Sequence, residues 1–101
     1  MPDEFAAKLG ETTNLSLEKI IRTLCQTHRY TVENATISEA ALRFASKPRQ
    51  SSWPEDFTVS IDGEDFLLTV YGATKAEREQ LIRDTESALH DHGVEVSLDE
   101  I

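Results

Sequence analysis

The sequence predicts an α+β domain, and three observations carry that prediction. An alternating apolar pattern doubles back on itself between Phe57 and Tyr71, a well-capped helical pattern follows it, and an N-capped helical stripe begins near Ser16. All 101 residues fit one domain.

The first 14 residues are expected to be a loosely attached segment. Phe5 and Leu9 stand one helical turn apart, with Pro2 near the start and Gly10 at the end, which predicts a short helical turn. A helix is predicted over 16–28. Ser16 is its N-cap, Leu15 is placed to staple against Ile20, and Leu17, Ile20, Ile21, Leu24 and His28 recur on one face. Lys19, Arg22 and Arg29 fall on the opposite side. Tyr30 to Thr36 reads as a weak strand with Val32 its one strong apolar strand former. Thr36 and Glu39 have capping-box spacing, so Ile37 to about Ser46 reads best as a helix, although Leu42 to Ala45 also alternates as a strand would. Lys47 to Pro54 is a loop bracketed by two prolines.

The second half is cleaner. Strands are predicted over 57–62 and 65–71, with a register that sets Ile61 opposite Phe66, Val59 opposite Leu68 and Phe57 opposite Val70. A helix over 74–92 opens with a Thr74/Glu77 capping box and stops at Gly93. Val94, Val96 and Leu98 then alternate with Glu95 and Ser97, which predicts a last strand over 94–98. With a strand at 30–36 the order becomes βαββαβ, that of a ferredoxin-like sandwich. The helix from Ser16 would then be an N-terminal addition, covering the sheet face where Leu67 and Tyr71 point.

Charge is distributed unevenly. Residues 1–54 carry a net +1 and residues 55–101 a net −10, within a total of −9. Such a field repels nucleic acid and anionic membranes and speeds encounter with basic partners. The chain has one cysteine, no run approaching the ~18 apolar residues of a membrane span, and a start without signal-peptide character. A cytoplasmic protein is expected.

Few residues suggest catalysis or metal binding. Cys25 and His28 are close enough on one helix to suggest a thiol–imidazole pair. Cys25, however, flanks an apolar stripe instead of sitting at a helix N-terminus that would lower its pKa. His90 and His92 are two apart on a predicted helix and point about 160° away from each other, so they cannot share an ion. Asp62, Glu64 and Asp65 crowd a turn without the ligand spacing of a calcium loop, and no phosphate-binding glycine motif is present. No enzyme activity, cofactor or metal site is expected. A winged helix can be sketched from the helix at Ser16, a helix near Ile37 and the hairpin, with Arg43, Lys47 and Arg49 as a basic island. Its wing would be acidic, against what phosphate contacts require.

The expectation is therefore an intracellular protein-binding module. In size and charge it is similar to bacterial immunity proteins and antitoxins that neutralise a basic toxin, and to inhibitors that mimic nucleic-acid charge. Glu55, Asp56, Asp62, Glu64 and Asp65 are the candidate partner-binding residues, with Trp53 as an apolar anchor. The alternative is a secretion chaperone or assembly subunit whose contact is apolar, through residues such as Leu67 and Tyr71. Self-association as a homodimer is a further expectation.

Overall fold

The computed structural model describes residues 3–9, 16–27, 29–45 and 55–101. The elements are β1 (Asp3–Lys8), α1 (Leu17–Gln26), β2 (Tyr30–Ala35), β3 (Glu39–Phe44), β4 (Phe57–Asp62), β5 (Asp65–Val70), α2 (Lys75–Asp91) and β6 (Asp99–Glu100). They form the expected α+β domain. One antiparallel sheet runs in the order β2-β3-β4-β5-β1-β6, and both helices pack on one face of it.

The hairpin has the predicted register, with Ile61, Val59 and Phe57 opposite Phe66, Leu68 and Val70. Asp62 and Asp65 close the ladder, which leaves Gly63 and Glu64 as a two-residue turn. Gly63 takes a φ of 61°, the left-handed value such a turn needs at its first central position. Helix α2 also begins as predicted. The Glu77 amide donates to Thr74 Oγ1 at 3.1 Å and the Thr74 amide to Glu77 Oε1 at 2.8 Å. At its far end Gly93 has φ 86°, its amide reaches the His90 carbonyl, and the Val94 amide reaches that of Leu89. That is a Schellman stop, sealed by the buried pair Leu89 and Val94.

Four expectations are corrected. The N-terminal residues form no helical turn: Asp3–Lys8 is a strand built into the sheet between β5 and β6. Phe5, Ala7 and Leu9 are all buried, a period of two that a helix could not place on one face. The helix expected from Ile37 is strand β3. Ala40, Leu42 and Phe44 face the core between two strands, and that pairing overrides the helical preference of the alanines. The Thr36 hydroxyl does accept from the Glu39 amide at 3.1 Å, as a cap would, but here it closes the β2–β3 turn. Residues 94–98 form no ladder. Val94 and Leu98 are buried, the Leu98 amide donates to Glu86 Oε2 at 2.8 Å, and pairing starts only at Asp99. Finally, the ferredoxin-like order is not observed: the segment expected as its first helix is strand β3, and β2, β3, β4 and β5 are neighbours in sequence order in the sheet with no described helix between them. Helix α1 lies beside α2, not on the face of Leu67 and Tyr71.

The core lies between the helices and the inner sheet face. Phe57, Phe66, Ile20, Leu24, Leu42, Leu68, Leu81, Leu89 and Val59 are fully buried in it. The rings of Tyr30, Phe44 and Phe57 meet at 5.5–5.9 Å, with Tyr30 edge-on to Phe57. Polar contacts pin α2 at three places: Arg78 donates to Asp3 of β1 at 2.7 Å, the Tyr30 hydroxyl of β2 donates to Asp84, and His92 meets Thr23 of α1 at 2.9 Å. No helix among the described residues is long and apolar enough to cross a membrane.

Candidate functional site

Alternation places the inner side chains of β1, β3, β4 and β5 in the core and leaves the others on a second face, over which no described helix packs. Register turns that outer face into rows. One row crosses five strands as Glu39, Ser60, Leu67, Ala6 and Asp99. Toward the hairpin tip the next row is Asp62, Asp65 and Lys8; away from it lie Ala41, Thr58, Thr69 and Glu4. Thr58 and Thr69 are buried, whereas Ala6, Ala41, Ser60 and Leu67 are half-buried. The acids stand round this small, flat centre and are exposed.

The outer-face cations among the described residues are already engaged. Lys8 bonds Asp65 at 2.5 Å, and that hydrogen bond, with the carboxylate's charge, holds its ammonium above the usual lysine range. Arg43 bonds Glu33 at 3.2 Å. No ion pair among the described residues reaches Glu4, Glu39, Asp62 or Asp99. Arg22 and Arg29 belong to the opposite side of the molecule, on α1 and just before β2. These four unpaired acids share the outer face, one each on β1, β3, β4 and β6.

The predicted site residues divide into two groups. Asp62, Glu64 and Asp65 do come together at the exposed hairpin tip, held to β1 where the Leu9 amide donates to the Glu64 carbonyl at 2.7 Å. Glu55 and Asp56 lie at the other end of β4. Asp56 is no surface contact: it is 5% exposed, and its carboxylate accepts the Phe44 amide at 2.9 Å. It ties β3 to the start of β4, which is a structural task. Trp53 lies outside the described residues, as do Leu15, His28 and the loop 47–54. The reading of the residues missed Glu39 and Asp99. The first lies in a segment whose capping-box spacing predicts a helix, and the second falls just past the expected strand. Register alone brings them into one row with Leu67.

Cys25 is partly buried against the core, and burial pushes its thiol pKa up, opposite to what an activated nucleophile needs. The α2 histidines diverge as their spacing requires. His90 faces Glu95 at 3.7 Å, while His92 turns to Thr23. Among the described residues no three His, Cys, Asp or Glu side chains gather as metal ligands do. The winged-helix sketch loses its helix near Ile37, because that segment is β3.

A second feature lies at the far edge. Leu17 and Ile21 of α1 and Val32, Ala35 and Ile37 of the β2–β3 hairpin line an apolar groove. Val32 is 42% exposed and Ile37, in the turn, 97%. Strand β2 is an outer strand of the sheet, blunted by a bulge between Val32 and Asn34. No protein-family model, curated protein sequence or solved structure matches this chain.

Proposed function

We propose that the chain is a small protein-binding module that takes a basic protein partner at the acidic side of its sheet. Inhibition of that partner, as an immunity or antitoxin-type protein neutralises a toxin, is the form of the activity that size and charge fit best. One observation carries the reading: Glu4, Glu39, Asp62 and Asp99 lie exposed on one face of the sheet with no cation paired to them among the described residues. Unpaired acids spread over one face draw a cationic surface in from a distance, and the partner's own active surface is then covered by the docked domain. Affinity capture tests it, with the wild type and the Asp62→Lys/Glu64→Lys/Asp65→Lys variant as baits. The expected partner is basic, is lost from the variant, and elutes as salt is raised. A partner held equally by both baits, or held in high salt, would count against the reading.

The apolar groove beside β2 favours a second reading, that of an assembly subunit or chaperone whose contact is apolar. Ile37→Asp with Val32→Asp would then abolish partner capture, whereas the charge reversals at the hairpin tip would leave it intact.

A further inference from the structure

We infer that the row Glu39–Ser60–Leu67–Ala6–Asp99 is the docking surface itself, and that its occupant is the folded surface of a basic protein. This inference rests on the basic-partner reading and adds a place and a geometry to it. Five adjacent strands spaced as in any sheet put the two terminal acids ~19 Å apart, with a half-buried Leu67 midway between them. Asp62 and Asp65 border one long side of the row and Glu4 stands beyond the other. A complementary partner carries Lys or Arg at both ends of a flat patch and a small apolar group at its middle.

The other occupants fit less well. An extended peptide docks by adding to a sheet edge or by filling a groove. Within the face the inner strands β3, β4, β5 and β1 have neighbours on both sides, and the row runs across the strands and not along an edge, so a peptide laid on it would leave its own amides and carbonyls unmatched. A folded partner brings its backbone already paired. A second copy of this chain, laid face to face, would set acidic rims against each other, so homodimer formation through this face is opposed by charge. Nucleic acid is opposed for the same reason.

The test is an NMR titration of the ¹⁵N-labelled full chain with two probes, lysozyme as a folded basic protein and a lysine oligomer as an extended one. Lysozyme at low ionic strength is expected to shift the amides of Glu39, Ser60, Leu67, Ala6 and Asp99, with binding about tenfold weaker near physiological salt. The Glu39→Gln/Asp99→Asn variant, altered only at exposed positions, is expected to weaken binding several-fold while its spectrum stays that of the folded chain. Shifts confined to the hairpin tip, to α2 or to the groove beside β2 would overturn the docking surface and leave the basic-partner reading standing. The same row responding to the lysine oligomer but not to lysozyme would overturn the folded occupant. No shift with either probe at low salt would contradict both the surface and the reading beneath it.

Discussion

The two faces of this sheet are written by alternate residues of the same strands, yet they answer to different physics. On the inner face Phe57, Val59, Phe66 and Leu68 are fully buried, and their size and shape set the stability of the domain. On the outer face of the same sheet Ser60, Leu67 and Ala6 are half-buried among exposed acids. The comparison teaches that a substitution one position along a strand changes which property is touched. Inner changes should move stability and leave the charge pattern alone; outer changes should do the reverse.

The largest effect tests the inner face. Phe57→Ala removes a ring held between Tyr30 and Phe44 and is expected to cost about 3–5 kcal/mol, read as a lowered urea midpoint. Next comes Asp56→Ala, which leaves the buried Phe44 amide without its acceptor. It should cost about 1–3 kcal/mol and leave association with a basic probe unchanged. If instead Asp56→Ala lost binding at unchanged stability, the division between the faces would fail.

A third experiment uses pH. Burial, and then the hydrogen bond to Asp84, push the Tyr30 hydroxyl well above the usual tyrosine range. Its proton is therefore held more tightly in the folded state than in the unfolded one. Below the unfolded value of about 10 this contributes its full stabilisation, and the contribution is lost as pH rises past that value. The urea midpoint should fall more steeply above pH ~10 in the wild type than in Tyr30→Phe, and parallel curves would refute the coupling. Smaller still is Asp62→Asn, at the exposed end of β4. It should leave the midpoint unmoved or slightly raised, as repulsion with Asp65 is relieved, while slowing association with a basic probe.

How far the sequence reveals this division varies along the chain. The β4–β5 hairpin and α2 are legible because local signals agree with tertiary use: strict alternation on both sides of a short polar turn in one, a capping box and a glycine stop in the other. Strands β1 and β3 are not. Their alanines suit a helix, and what makes them strands is distant, the open sides of β5 and β4 that need hydrogen-bonding partners. The Thr36–Glu39 pattern misleads for a related reason, since the hydroxyl-to-amide contact that begins a helix also closes a tight turn. The acidic hairpin tip is visible as a cluster in the chain. The row from Glu39 to Asp99 is not, because 60 positions separate its ends and register alone makes them neighbours on one face. Asp56 shows the opposite failure: beside Glu55 it looks like a surface charge, but it is a buried acceptor.

Two variants of equal charge give the most direct test of where the partner docks. Asp62→Asn/Asp99→Asn removes two acids from the outer face, and Glu79→Gln/Asp91→Asn removes two exposed acids from α2 on the other side. Their association rates with lysozyme, measured at low ionic strength, separate placement from total charge. The outer-face variant should associate several-fold more slowly than the wild type and the α2 variant at nearly the wild-type rate. Equal slowing of the two would mean that net charge alone governs the encounter, and would contradict a docking surface on the outer face.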